Sequence, residues 1–303
     1  MERVVCPLCG ADSPRIAYQV KDWQQGVDGA FTIVRCGECA LLYLSPRPTL
    51  TELATYYPAD YAAYQRGPLG TERWWVRRPR MYGLDKRCRA VTRFASQGRL
   101  LDVGCATGDF LARMRRYGRW ELVGLERDPR AAASARQQYG LEVYEGPMDQ
   151  VDLASQSFDV VTLWDVVEHL PQPGASLRRI TEWLQPGGRL VMRTPDASSV
   201  YARVFGRYWA GLDAPRHLTV LDRASLLRLL SQNGFQVERL WVLSGSYAIT
   251  ALSLRFWLRA SGRSPRWSKL VENPAAQLLT APLFWLIDRF GGAALTVVAR
   301  RTS

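Results

Sequence analysis

The stretch Leu101-Asp102-Val103-Gly104-Cys105-Ala106-Thr107-Gly108-Asp109-Phe110 decides the fold. The run Arg99-Leu100-Leu101-Asp102-Val103 is apolar and short, as in a buried strand, and Phe110, Leu111 and Met114 then recur at helical spacing. Small residues occupy alternate positions between them, at Gly104, Ala106 and Gly108. A strand that turns into a helix through small residues lets backbone N–H groups approach a ligand closely. A dinucleotide site wants its third small residue five positions after the first, where the helix packs over a pyrophosphate. That position holds Asp109, with the glycine one residue earlier, so the spacing fits a loop around a small zwitterion instead.

These residues resemble motif I of the class I S-adenosylmethionine (SAM) dependent methyltransferases, with Ala106 standing where the commonest form of the loop has glycine. The resemblance implies SAM as cofactor and contacts to it from Asp102, Gly104, Cys105, Ala106, Gly108 and Phe110. The following segments agree with it. Trp120–Glu126 reads as a second strand ending in an acid, and a carboxylate there can accept hydrogen bonds from both ribose hydroxyls. Arg127 adjoins it and is counted with the cofactor contacts. Leu141–Tyr144 is a third strand, followed by Gly146-Pro147-Met148-Asp149, where the family lines the adenine ring. The segment 157–170 resembles the family's post-motif region, whose strand end (here Trp164 and Asp165) abuts the methionine part of SAM. Strands alternating with helices imply an α/β, Rossmann-like, mostly parallel sheet with ligands at the strands' carboxyl ends. The resemblance adds an antiparallel last strand, read at Ala294–Ala299 after a strand over Phe235–Trp241. Pro186-Gly187-Gly188 is expected to stop the helix before the fifth strand, 189–195.

Four of the six cysteines form two Cys-x2-Cys pairs, Cys6/Cys9 and Cys36/Cys39. Two such knuckles can place four thiolates tetrahedrally around a structural zinc ion, with no position left open for water. Disulfides are the competing reading, disfavoured in a cytosolic chain. Cys88 and Cys105 have no partner pattern. A zinc ribbon, a proline break and an aromatic segment such as Tyr56-Tyr57-Pro58-Ala59-Asp60-Tyr61 resemble the front end of a set of bacterial methyltransferases. Some sugar C-methyltransferases share it, with a longer C-terminal domain. The expected organisation is a zinc-ribbon module over 1–48, a helical connector over 49–98 and a SAM-binding domain over 99–303. The last carries a lid-like insertion at 196–220 and an apolar, basic helical insertion at 243–291.

The chain has 303 residues and a net charge of +12, and only Lys21, Lys86 and Lys269 among its 40 cations are lysines. Its start has no long apolar segment of the signal-peptide kind. The longest uncharged stretches, Leu240–Leu254 and Asn273–Ile287, have 15 residues each, against roughly 20 for a bilayer span. A cytoplasmic location is expected. Arg66–Arg93 carries nine cations against two acids, and Arg255–Lys269 adds five cations and no acid. Arg66–Arg93 reads as a solvated helix face or as a surface that meets anionic lipid or nucleic acid. In the late insertion, concentrated charge beside apolar, Trp-bearing helices fits an anionic membrane surface; an extra core layer or a homodimer interface is the plainer reading there.

The only histidines, His169 and His217, fall in segments expected to border the active-site mouth, and an imidazole suits the task of taking an acceptor's proton. His217 is preferred as the base, with His169 alternatively a satisfied polar residue at a helix start. Arg216 could bind an anionic acceptor. The expected function is methyl transfer from SAM to an oxygen, nitrogen or carbon of a small or lipid-linked metabolite. Two rivals are an RNA methyltransferase and a non-catalytic binding protein with a SAM fold. RNA readers expose aromatics on an open basic face, whereas the basic clusters here sit beside long apolar segments.

Overall fold

The computed structural model describes residues 1–58, 74–242, 246–262 and 292–302, with the isolated positions 67, 69, 71, 280, 282, 283 and 286. Two sheets organise these residues. The larger has seven strands: β4 (Gln97–Val103), β5 (Arg119–Glu126), β6 (Glu142–Glu145), β7 (Phe158–Trp164), β8 (Leu184–Pro195), β10 (Phe235–Val242) and β11 (Ala294–Arg301). Their spatial order is β10-β11-β8-β7-β4-β5-β6. β6, β5, β4, β7 and β8 pair in parallel, and β11 runs antiparallel to both β8 and β10. The last strand is therefore the reversed one, as the sequence reading expected. The smaller sheet, order β1-β2-β3-β9, is antiparallel. It joins β1 (Pro14–Val20), β2 (Phe31–Cys36) and β3 (Leu42–Leu44) to β9 (Thr219–Val220).

The central strands are covered on both faces, so they read as unbroken apolar runs rather than alternating ones. Leu101, Val161 and Leu163 pack towards Leu177, Ile180 and Trp183 of α5 (Pro173–Trp183) in one cluster. Leu100, Val160 and Val191 pack in another, with Leu111 and Met114 of α3 (Asp109–Met114) and Cys88 and Val91 of α2 (Trp74–Thr92). Each helix is started where the chain needs it. At α4 (Pro129–Tyr139) the Asp128 carboxylate accepts the N–H groups of Arg130 and Ala131, Pro129 occupies the first turn, and Gly140 closes the helix at φ +57°. α5 takes Pro173 in its first turn and has ended by Trp183. Pro186-Gly187-Gly188 consequently lies within β8, beside an irregularity in its pairing with β7.

Much of the segment 196–220 is buried. Tyr201, Trp209, Leu212, Ala214 and Leu218 are buried in a third cluster with Phe31, Ile33, Leu44 and Leu53. Apolar side chains of that size are held in a core by the water they exclude, at about 1.5–3 kcal/mol each. The segment joins the N-terminal sheet to the larger one, and β9 completes the smaller sheet. Helix α6 (Val200–Phe205) lies within it, and α8 (Ser246–Ala260) packs alongside. The Ser253 hydroxyl of α8 accepts the Ala210 amide at 2.9 Å. Of the expected 243–291 insertion, positions 263–279 and most of 281–291, including Trp267 and the cations from Arg263 to Lys269, lie outside the described residues, as do 59–66. No helix among the described residues is long and apolar enough to cross a membrane.

Candidate active site and metal centre

A cavity of about 830 Å³ opens at the carboxyl ends of β4, β5, β6 and β7. The loop after β4 forms its floor. Gly104 adopts φ +73°, and a Cβ there would stand 2.7 Å from a Val166 methyl, so glycine is required by close approach as well as by conformation. Gly104 and Cys105 donate their amides to the Leu125 carbonyl at 2.7 and 3.2 Å, which ties the loop to β5. Ala106 sits at φ +47°, a left-handed conformation in which glycine is easier, in line with the family's usual residue. Its amide donates to Glu126 Oε2 at 2.8 Å. Cys105 packs its sulfur over Gly124, where a Cβ would meet Sγ at 2.6 Å. Phe110 closes the loop against Trp164, edge to face at 5.3 Å.

Gly108 departs from the expectation. It does not line the cavity; its missing side chain makes room for Leu141 and Ala135, which a Cβ would meet at 2.6 and 3.0 Å, where α3 packs on α4. The other expected cofactor residues, Asp102, Gly104, Cys105, Ala106, Phe110, Glu126, Arg127, Met148, Asp149, Trp164 and Asp165, all border the cavity.

Glu126 is buried, with Oε1 taking the Asp128 amide at 2.9 Å and Oε2 the Ala106 amide. Each oxygen keeps a second lone pair. Burial raises its carboxyl above the ordinary value, against three backbone N–H groups. Asp102 is buried as well, and burial pushes its carboxyl up to about 7 although the Thr162 hydroxyl donates to it at 2.6 Å. Asp165, at φ +61°, lies between two guanidinium groups, Arg193 at 2.6 Å and Arg87 at 2.9 Å. Burial works to raise that carboxyl, and Arg193 and then Arg87 outweigh it and hold it below the usual range.

His169 and His217 meet at the other end of the cavity, ring centroids 4.6 Å apart, with Tyr57 Oη 3.0 Å from His169 Nδ1. Burial and the neighbouring His217 push His169 down to about 3, while Glu168, buried beside Asp165, is pushed up to about 8. Arg216 is not available to an acceptor. It is fully buried, its guanidinium bonded to both carboxylate oxygens of Asp22 at 2.9 and 2.7 Å and to Asp213 at 2.6 Å.

Three further lining residues, Leu50, Tyr57 and Arg87, were not singled out from the sequence. Arg87 is one cation among nine in a basic stretch, and nothing local distinguishes it until Asp165 and the Trp164 ring, 5.3 Å away, are seen beside it. Tyr57 belongs to the aromatic segment already noted, and Arg127 lies over its ring at 5.3 Å.

The four cysteines of the two knuckles come together. Cys6 and Cys39 sulfurs are 3.5 Å apart, as are those of Cys9 and Cys36, and all four lie within 4.8 Å of one another. A disulfide needs about 2.05 Å, so these are free thiols, close enough together to be compatible with one tetrahedral zinc ion.

The methyltransferase domain family matches residues 75–240, more than half of the chain. The chain belongs to the class I SAM-dependent methyltransferases. A protein of Mycolicibacterium smegmatis named as an S-adenosylmethionine-dependent methyltransferase is 29% identical over 180 residues, 56% of this chain and 62% of that protein. A ubiquinone biosynthesis O-methyltransferase of Xanthomonas euvesicatoria is 32% identical over 153 residues, 46% of this chain and 63% of its own. The chain thus spans less than two thirds of the length of these curated relatives. Among solved structures, a SAM-dependent methyltransferase of Mesorhizobium loti has a TM-score of 0.50 at 19% identity, covering 72% of this chain and 98% of that one. The cyclase SpnF has a TM-score of 0.55 at 18% identity, covering 84% and 97%. At such identities the likeness is one of fold, and a neighbour named for cyclisation shows that the fold alone does not fix the reaction.

Proposed function

We propose that this methyltransferase transfers the methyl group of SAM to a small or lipid-linked metabolite. The observation that carries the reading is the convergence on one cavity of the β4 loop, the Glu126 carboxylate and the His169–His217 pair. The residues fit the cofactor. Glu126 keeps lone pairs for two ribose hydroxyls, Met148 and Asp149 offer an apolar face and an acceptor to a purine, and Asp102 and Trp164 border the loop. Bound SAM supplies a methyl on a sulfonium, already a good leaving group. The chain's own task is then to hold an acceptor in line with it and exclude water. Leu50, Tyr57 and Leu170 line the same cavity as the two histidines, and the acceptor is placed at the histidine end, where its proton leaves.

Relatives named for ubiquinone biosynthesis favour an acceptor with an apolar part. The outward face of α6 supports a membrane-borne one. Val200, Arg203 and Val204 of α6 are exposed, as is Arg207 just after it, and no acid occurs from 197 to 212. Co-sedimentation with anionic vesicles at low salt, lost at high salt and in a Val204→Asp/Arg203→Glu variant, is the expected result; retention by neither anionic nor neutral vesicles would remove the membrane from the reading. The four-cysteine cluster is assigned to one structural zinc ion. The direct test of function is to incubate the protein with methyl-labelled SAM and polar and lipid extracts of a deletion strain. Label should enter one extractable species, and label entering none, or entering RNA alone, would contradict the acceptor class.

A further inference from the structure

Glu168, His169 and His217 each bring one ligand-capable atom to within 4.8 Å of the other two. The hydrogen bonds around them leave a particular set of atoms unused. Glu168 Oε2 takes the Thr194 hydroxyl at 3.1 Å, while Oε1 is sealed from solvent and has no hydrogen-bond partner. A buried carboxylate oxygen without a donor is costly and rare. His169 Nδ1 lies 3.0 Å from the Arg216 carbonyl and His217 Nδ1 lies 2.8 Å from the Gly211 carbonyl. A carbonyl can only accept, so both rings carry their proton on Nδ1 and leave Nε2 with its lone pair. With the Glu168 carboxyl ionised, the three residues therefore offer one another acceptors and no donor.

A water molecule could donate to two of the three. A divalent cation satisfies all three at once, at about 2.0–2.2 Å from each. The surroundings match what such a site requires. Imidazoles that ligate metals are oriented by donating their other ring N–H to a carbonyl or carboxylate, which is the arrangement found here twice. The Asp213 carboxylate, 4.0 Å from His217 Nε2, adds negative charge at the rim.

We propose that Glu168 Oε1, His169 Nε2 and His217 Nε2 bind one divalent cation of the borderline class, such as Co2+, Zn2+ or Fe2+. Two imidazoles and a carboxylate leave coordination positions open, and both histidines border the cavity. A water or an oxygen of the acceptor completes the shell. An acceptor hydroxyl held there loses its proton to solvent more readily than a free one; this duty, unlike cation binding itself, rests on the proposed methyl transfer.

The test uses the full chain with its cysteine cluster loaded with zinc, titrated with Co2+ near neutral pH. One further equivalent should bind and give weak visible d–d bands without the intense near-ultraviolet sulfur-to-cobalt band of a thiolate site. Glu168→Gln and His217→Asn should each weaken that binding more than about tenfold, at least the loss that follows removal of an outer-shell partner, with circular dichroism reporting that the variants are folded. The wild-type titration stands even if a variant does not fold. Absence of a second equivalent in the wild-type chain, a sulfur-to-cobalt band as its only signature, or undiminished binding in a folded variant would each overturn the site. Failure of the chain to bind SAM would leave this result untouched, so the two proposals fail separately.

Discussion

Asp102 carries its charge at a cost. It is 3% exposed, and its carboxyl is pushed from the ordinary value up to about 7 by burial. A carboxyl raised in the fold is protonated more easily there than in the unfolded chain, so stability is greatest below the unfolded value near 4 and declines as pH rises towards 7. Asp102→Asn keeps the shape and removes the penalty. Its stability to unfolding should exceed that of the wild type at pH 8, by a few kcal/mol at most on the order-of-magnitude scale of such shifts, and match it near pH 3.5; an equal gain at both would show that burial of charge is not the cause. The neighbouring loop shows what a single sequence can convey at this scale. Alternate small residues correctly marked a turn, yet their reasons differ. Gly104 yields to Val166, Ala106 offers its amide to Glu126, and Gly108 makes room for Leu141. The partners come from other parts of the chain, so spacing alone could not separate a residue that borders the cavity from one that packs two helices.

Helix α2 was legible as a basic, helical stretch but not as a docked one. Its charges had the composition of a solvated or membrane-facing surface. In the fold, Arg80 pairs with Asp109, Arg87 with Asp165, and Asp85 receives Arg113 in two bonds of 2.6 and 3.1 Å. The acids that decide the matter lie on α3 and at the end of β7. The Arg113 guanidinium holds the Asp85 carboxyl below its ordinary value, against a smaller opposing effect of burial. A depressed carboxyl contributes stability that is present above the unfolded value near 4 and lost as pH falls through the folded one. Asp85→Asn should therefore cost about 1 kcal/mol at pH 7, the scale of a partly exposed bidentate pair, and nothing near pH 2. A cost independent of pH would assign the effect to packing. The same element shows why Arg87 escaped notice: its role at the cavity comes from the position of α2 across the strand ends.

The whole molecule is tied together more tightly than a module, a connector and a domain in series. β9 pairs with β3, and Arg216 joins Asp22 of the N-terminal part to Asp213 at full burial. The strand–helix alternation was readable because each strand is buried and apolar. The pairing of two-residue β9 was not, since so short a strand has no period. Removing one partner of a buried ion pair costs about 3–5 kcal/mol, so Arg216→Met should unfold both parts together, in one transition at a lower temperature. Two separated transitions would restore the picture of independent domains. Zinc removal is expected to act the same way, because Cys6 and Cys36 share a core cluster with Leu101 and Leu163 of the large sheet. The decisive property of the molecule is whether the cavity at the strand ends accepts a sulfonium nucleoside with its ribose on Glu126. Calorimetric titration of SAM into the wild-type chain and into Glu126→Ala measures this. The account predicts binding to the wild type, weakened more than about tenfold in the variant, the loss expected when hydrogen bonds to a charged group are removed. Equal affinity in the two, or no heat of binding in the wild type, would contradict it.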